Sequence, residues 1–278
     1  MLRVCVALSF LAGCSSGDPE PVRSSWSFPE GNDLGHCASN PSPECAQGTP
    51  LENQQLVLTF DDGPGSRTME LSSWLAERGI RATFFVLGQD AAEHRDALAR
   101  LSRDGHLIGN HTYDHFDLST LRGAQVVLEV STTDAIIAPW VNADHFLFRA
   151  PYGRWSSADY DALESSTMSK YVGPIRWDIG GELTEKYAAD WDCWAHQMTA
   201  EECGDRYIAQ IHDVGRGFVL MHDQDYGTPR GNTVDMIEYM IPILEAEGYA
   251  FVRADEVPDI AAAISGAGAV DRARPRRR

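Results

Sequence analysis

The chain of 278 residues is predicted to be an α/β protein: a single catalytic domain built as an irregular (β/α)7-8 barrel, with a disulfide-pinned N-terminal segment. From about residue 54 onward, short apolar runs alternate with longer amphipathic stretches, which is the pattern of βα units around a parallel sheet. Roughly seven such repeats suit a closed barrel. Polar residues also follow several apolar runs, as expected where barrel strands end in an active site.

The individual elements are predicted from periodicity, capping residues and Gly breaks. Strands are expected at 56–60, 82–86, 106–109, 146–148, 217–221 and 250–252. Helices are expected at 68–78, 91–103, 119–137, 157–165 and 233–247. An open doubly wound sheet can produce a similar alternation, but polar residues from four different strand ends converge more easily in a barrel.

The N-terminus has the features of an exported lipoprotein. A basic start at Arg3 precedes an apolar stretch and the sequence Leu11-Ala12-Gly13-Cys14, which resembles a bacterial lipobox. We therefore expect residues 1–13 to be a lipoprotein signal peptide and 14–53 to be a tether and entry segment, lipidated at Cys14. An ordinary signal peptide with Cys14 incidental is the alternative. The predicted location is the bacterial cell envelope, with a lipid anchor in the membrane.

The catalytic domain is predicted over 54–260, followed by a disordered basic tail at 261–278. Hydrophobic residues make up 43% and charged residues 23% of the chain, which is ordinary for a globular protein. No internal run reaches the roughly 18 apolar residues that a membrane span needs. The net charge of −18 disfavours nucleic acid as a partner and favours neutral or cationic ones.

Four cysteines remain after the predicted signal: Cys37, Cys45, Cys193 and Cys203. An even number in an exported chain predicts two disulfides. Three pairings are possible, and the short loops favour Cys37–Cys45 and Cys193–Cys203. A zinc cluster of cysteines is disfavoured because the chain has no C-x-x-C spacing.

Two groups of residues have the pattern of a metal site. Asp61 and Asp62 end the first apolar strand, and such a pair can divide between metal binding and proton transfer, although Asp-Asp-Gly-Pro can also be a solvated turn. His111 and His115 have a spacing that, on one helical turn, directs both imidazoles to one ion, although such pairs also occur on surfaces. With Asp62 they would form a His₂Asp set that suits Zn²⁺ and also admits Co²⁺, nickel or manganese.

Arg149 and His222 each follow an apolar strand. Arg149 is interpreted either as a structural ion-pair residue or as a guanidinium that holds a carboxylate through bidentate hydrogen bonds. His222 is interpreted either as a satisfied core histidine or as a general acid.

Four motifs together resemble those of a known family. The segments 59–64, 111–115, 149–153 and 220–222 resemble the first, second, third and fifth motifs of the polysaccharide deacetylases, carbohydrate esterase family four, in the family's order. The resemblance covers about residues 54–255. It implies a metal-dependent hydrolase that removes N-acetyl groups from a GlcNAc-containing polysaccharide, either chitin oligomers or peptidoglycan.

The resemblance also implies a role for each matching residue. Asp61 would be the general base, His222 the general acid, and Asp62, His111 and His115 the metal ligands. Arg149 would orient Asp61. Tyr152 would contact the substrate, and its backbone N–H would help to stabilise the oxyanion.

The fourth family motif is altered in this chain. The family has a compact Asp-x-x-Asp-Trp, whereas here Trp177-Asp178 and Asp190-Trp191 are separated by an insertion. Either Asp178 or Asp190 is expected to tune the catalytic histidine. Trp177 and Trp191 are expected at the rim of the cleft, stacked on sugar rings or packed in a lid.

Two alternative functions keep the same fold. An O-acetyl esterase acting on xylan or another glycan would use the same metal site. An inactive carbohydrate-binding lipoprotein would have lost activity through the altered fourth motif alone, because the other motif residues are all present.

Overall fold

The structure is a computed structural model that describes Gly48 and residues 50–141, 145–223 and 232–273, except for the side chains of residues 232 and 267–273. The predicted signal peptide, the lipidated Cys14 and the predicted Cys37–Cys45 disulfide lie outside the described residues. The predicted Cys193–Cys203 disulfide is present.

A parallel sheet forms the centre of the described part of the chain. Its strands are β1 (Gln55–Asp61), β2 (Thr83–Val86), β3 (Leu107–Asn110), β4 (Gly217–His222) and β5 (Ala250–Phe251). Their order is β3-β2-β1-β4, and β5 pairs with the start of β1. In this register Asp61 lies beside His222, so two predicted site residues become neighbours at the same end of the sheet.

Isolated parallel bridges continue the sheet beyond its edge strands. Phe148 pairs with Asn110, Leu147 pairs with Val172, and Ile179 pairs with Val219 of β4. The predicted strand at 146–148 is therefore reduced to two bridges. Its backbone is still hydrogen-bonded on both sides, because the N–H of Phe148 donates to Val172 and that of Arg149 donates to Asn110.

The inner faces of these segments meet in one apolar cluster. Six successive positions around the sheet contribute to it: Val57, Phe85, Leu107, Leu147, Val172 and Phe218. The interior of a barrel has this composition, with each strand contributing side chains to a shared layer. The α/β class is confirmed, and the layer supports the predicted irregular barrel.

The helices cover the outside of the sheet. In chain order they are α1 (Thr68–Glu77), α2 (Gly88–Glu93), α3 (Arg95–Asp104), α4 (Gly123–Ile137), α5 (Ser157–Glu164), α6 (Asp190–Ala195), α7 (Ala200–Val214), α8 (Asn232–Ala246) and α9 (Pro258–Ala273). Alternate residues of β1, namely Leu56, Leu58 and Phe60, pack outward against them. Within the described residues, no helix is long and apolar enough to cross a membrane.

The helix boundaries differ from the predictions at several places. The helix expected at 91–103 is divided at His94, whose φ of −116° and ψ of 51° are not helical. The helix expected from residue 119 begins at Gly123, because Asp117 caps a separate 3-10 turn at Leu118–Thr120.

Three further helical segments were not predicted. Both α6 and α7 lie in the region interpreted as an insertion and its flank, although α7 has a clear capping box between Thr199 and Glu202. The helix α9 continues to Ala273, so a disordered tail from 261 is wrong for its first part. Residues 274–278 lie outside the described range.

The assigned core can be tested by truncating one buried and one exposed leucine, both of which lie in helices. Leu75 of α1 is fully buried, whereas Leu128 of α4 is 64% exposed. Leu75→Ala should lower the free energy of unfolding by roughly 2–5 kcal/mol, because the cavity that it leaves cannot collapse completely. Leu128→Ala should change it by less than about 0.5 kcal/mol. Urea denaturation measures both values, and equal losses would contradict the assigned core.

Candidate active site

Two buried carboxylates stand at the end of β1. Strand alternation places Val57, Thr59 and Asp61 on the inner face, so Asp61 lies at the mouth of the barrel interior. Asp62 leaves the strand with a φ of 70°, a left-handed conformation that is uncommon for a residue with a side chain. Gly63 follows because a Cβ there would lie 2.1 Å from Oδ1 of Asp223.

The two motif histidines lie on a loop rather than on the predicted helical turn. Thr112 and His115 have φ values of 70° and 58°. The buried carboxylate of Glu129 accepts hydrogen bonds from the backbone N–H groups of Tyr113 and Asp114, at 3.0 and 2.9 Å. The spacing therefore brings the imidazoles together through a loop that Glu129 holds, not through helix geometry.

Asp62, His111 and His115 form one compact set of donors. Oδ1 of Asp62 lies 3.3 Å from Nε2 of each histidine, and the three ligand atoms all lie within 4.8 Å of one another. Nδ1 of His111 donates to the carbonyl of Arg149 at 2.8 Å, which leaves Nε2 as the acceptor. Nδ1 of His115 lies 3.1 Å from the hydroxyl of Tyr152.

The electrostatics of this set fit a divalent cation. Burial raises the pKa of Asp62, but the nearby His111, His115 and His222 outweigh burial and hold this pKa well below its usual range. Oδ1 of Asp62 has no hydrogen-bond partner among the described residues although it is buried. Burial lowers the pKa of His115 to about 4, which keeps its imidazole neutral. An unpaired anionic oxygen facing the Nε2 atoms of two imidazoles is a donor set for a metal.

Arg149 is a fully buried cation that orients Asp61. Its Nη1 donates to Oδ1 of Asp61 at 2.7 Å and to Oγ1 of Thr59 at 2.8 Å. Nε and Nη2 donate instead to the carbonyls of Ile175 and Arg176. The predicted bidentate contact is therefore replaced by one charged hydrogen bond, which leaves Oδ2 of Asp61 without a bond to the guanidinium.

His222, at the end of β4, is paired with Asp190. Nδ1 of the imidazole lies 2.8 Å from Oδ1 of Asp190, and the backbone N–H of His222 donates to Oδ2 at 2.7 Å. Burial lowers the pKa of His222, but Asp190, with Asp62 and Asp61, overcomes this effect and raises the pKa to about 9. The imidazole is therefore protonated at neutral pH, as a general acid must be.

Asp178, the other candidate for the fourth motif, lies elsewhere. Its Oδ2 accepts hydrogen bonds from the backbone N–H groups of Gly48 and Phe218, at 3.0 and 2.8 Å. These contacts fasten the start of β4 to the entry of the domain. Asp190 rather than Asp178 thus contacts the histidine.

The three predicted substrate-binding aromatics have different surroundings. Tyr152 is 47% exposed, with a φ of 57°, and its ring lies 4.5 Å from that of His115. Trp177 is partly buried against the inner apolar cluster. It also packs so closely on Gly153 that a Cβ there would lie 2.8 Å from the indole. Trp191 is half-buried, next to Asp190.

Sequence reasoning missed two residues that hold the site. Glu129 lies on the buried face of α4 among Val126, Val130 and Ile137, and a charge within an apolar stripe was a signal for it. Thr233 donates to Oδ2 of Asp190 at 3.0 Å, a contact between α8 and α6 that no local pattern indicates.

Comparison with known proteins agrees with this geometry. The model of the polysaccharide deacetylase family matches residues 48–169. A chitooligosaccharide deacetylase of Rhizobium leguminosarum bv. trifolii is 36% identical over 215 residues, which cover 72% of this chain and 89% of that protein. The chain belongs to the polysaccharide deacetylase family.

Other members are more distant from this polysaccharide deacetylase. A peptidoglycan-N-acetylglucosamine deacetylase of Bacillus cereus is 26% identical over 205 residues, 73% of this chain and 68% of that protein. A solved structure of a peptidoglycan N-acetylglucosamine deacetylase superposes with a TM-score of 0.64 at 24% identity. It covers 77% of this chain and 92% of that chain, and supports the fold.

The pairing with Asp190 predicts how His222 titrates. In Asp190→Asn the carboxylate that raises the pKa is lost while the burial that lowers it remains. The pKa should therefore fall from about 9 toward or below the ordinary 6.5. NMR titration of the metal-free protein measures this value. Asp192→Asn on the same helix is the control, and an unchanged pKa in Asp190→Asn would refute the pairing.

The contact between Tyr152 and His115 predicts a loss of metal affinity. Tyr152→Phe keeps the ring and the backbone N–H but removes the hydroxyl that orients the imidazole. The dissociation constant for zinc should rise roughly 10-fold, as when other outer partners of ligating histidines are removed. Competition with a chromophoric chelator measures it. Tyr187→Phe, outside the site, should have no effect, and equal affinities in all three proteins would show that the hydroxyl is not needed.

Proposed function

We propose that this polysaccharide deacetylase hydrolyses N-acetyl groups of a GlcNAc-containing polysaccharide, chitin oligomers or peptidoglycan, with a divalent metal as cofactor. One observation carries the proposal: a carboxylate oriented by Arg149, a His₂Asp donor set and a protonated histidine meet at one end of the sheet. The relatives named above, which deacetylate chitooligosaccharide or peptidoglycan, support the substrate class.

Asp62, His111 and His115 would hold the metal, and zinc suits this donor set best. When bound, the cation would act as a Lewis acid toward the acetyl carbonyl and lower the pKa of a water. The backbone carbonyl of Arg149 and the hydroxyl of Tyr152 would fix the orientation of the two imidazoles.

The chain's own groups move the protons. Asp61 would take a proton from the attacking water through Oδ2, since Oδ1 is held by Arg149. The water oxygen then bonds to the carbonyl carbon, and the backbone N–H of Tyr152 would donate to the developing oxyanion. The C–N bond breaks as His222 gives its Nε2 proton to the departing nitrogen, which leaves acetate and a free amine.

We also propose that the protein is exported and anchored by a lipid at Cys14 in the bacterial envelope. The sequence around Cys14 supports the anchor. The fully buried disulfide between Cys193 and Cys203 supports an oxidising compartment, where such bonds persist.

The proposed function is tested by acetate release from N-acetylated chitooligosaccharides, peptidoglycan and acetylxylan. Release from the first two should disappear after chelation and return with zinc. Asp61→Asn should lower kcat about 100-fold or more, because the base is lost while its hydrogen bond to Arg149 can persist. Asp259→Asn, a change of the same type at an exposed residue of α9, should leave kcat unchanged.

Two results would contradict the proposal. Release from acetylxylan alone would show that the enzyme cleaves an ester bond rather than an amide bond. No release from any polymer by the zinc-loaded protein would indicate a carbohydrate-binding protein instead.

A further inference from the structure

The helix that carries Asp190 is too short to hold its own position. α6 has only six residues, and isolated helices of that length are unstable. The segment that precedes it, 181–189, is irregular, with one backbone hydrogen bond among its described residues, from Thr184 to Tyr187. The place of Asp190 is therefore set by contacts with other elements.

The contact between Asp190 and His222 requires the position of Asp190 to be closely fixed. The carboxylate of Asp190 is fully buried and accepts four hydrogen bonds. They come from the backbone and Nδ1 of His222, Oγ1 of Thr233 and the backbone of Trp191, at 2.7, 2.8, 3.0 and 2.8 Å. Hydrogen bonds of this length are lost when the partners separate by about 1 Å.

The neighbouring helix α7 reaches Asp190 at two points. Cys193, three residues after Asp190 and so on the same side of α6, is disulfide-bonded to Cys203 of α7, with a Cα–Cα distance of 6.0 Å. One turn after Cys203, the hydroxyl of Tyr207 accepts from the backbone N–H of Asp190 at 3.0 Å. The same hydroxyl donates to the carbonyl of Leu220 in β4, two residues before His222.

These contacts fix the position of Asp190 relative to His222. Tyr207 connects α7 to both Asp190 and β4, and the disulfide supplies the covalent link between α7 and α6. Both sulfurs are fully buried within the main apolar cluster, so the link is part of the packed core. Loss of the link would free α6 to move relative to α7 without altering the proposed metal ligands, which lie on the turn after β1 and on the 111–115 loop.

We infer that Cys193 and Cys203 are positioning residues for catalysis, whose disulfide keeps Asp190 against His222 and thereby maintains proton transfer to the leaving amine. The inference rests on the proposed role of His222 as general acid. It also explains how the altered fourth motif can still supply an aspartate to His222. Asp190 lies on a short helix that the disulfide holds in place.

The test compares Cys193→Ala/Cys203→Ala with the wild type. In the metal-free wild type, the Nδ1 proton of His222 in its bond to Asp190 should give a downfield NMR resonance. That resonance should be lost in the double variant and in Asp190→Asn. In zinc-loaded protein, kcat for acetate release should fall roughly 10-fold in the double variant while KM stays within about two-fold.

A matched control distinguishes the effect of lowered stability from the effect of losing the disulfide. Leu75→Ala lowers stability from the same apolar cluster but lies in α1, so it should keep both the resonance and kcat. A second pair, Cys193→Val/Cys203→Ala, refills the space of the sulfurs and gives the same comparison if the first pair does not fold. Asp61 and Asp62 also face His222 but are unchanged in every variant, so the resonance reports on Asp190.

The outcomes distinguish this inference from the proposed function. A resonance and kcat that both persist without the disulfide would overturn the inference, because the bond would then be structural only. A different pair of results is also possible: the resonance is lost in the double variant, and the wild type releases no acetate. These results would support the positioning role of the disulfide and contradict the proposed function.

Discussion

The candidate site depends on one buried charge, the guanidinium of Arg149. A cation in the interior is costly unless it is paired and hydrogen-bonded, and each of the three guanidinium nitrogens donates here, to Asp61, Thr59 and two backbone carbonyls. Those partners fix the end of β1 and the 175–176 segment. The carbonyl of the same residue also orients His111. The proposed base and one proposed ligand therefore take their positions from a single residue, which supports a function that needs both at once.

Around this charge, the proposed ligands Asp62 and His115 and the nearby Tyr152 lie on strained turns rather than in regular elements. Asp62, Thr112, His115 and Tyr152 all have φ values between 57° and 70°. Such conformations cost on the order of 1–3 kcal/mol each and persist only where the surroundings impose them. Here Glu129 holds the 111–115 loop from outside, and the close packing of Gly63 on Asp223 fixes the turn after β1. The two turns thus bring Asp62 and the imidazoles together.

The sequence predicted the features that depend on local pattern. The alternation of short apolar runs with longer amphipathic stretches predicted the α/β class, and the short separation of Cys193 from Cys203 predicted their disulfide. Features set by distant contacts were missed. Asp178 and Asp190 could not be distinguished because the choice depends on Thr233 and on β4, far along the chain. The convergence of His111 and His115 was predicted, but from a helical turn that the loop replaces.

The central claim is that Asp62, His111 and His115 hold a catalytic metal beside Asp61 and His222. Anomalous diffraction at the zinc edge from zinc-soaked crystals tests it most directly. One strong peak is expected within coordination distance of Oδ1 of Asp62 and Nε2 of both histidines, and no such peak is expected in Asp62→Ala. A peak only elsewhere in the wild type, or none at all at saturating zinc, would show that these three residues do not hold a metal.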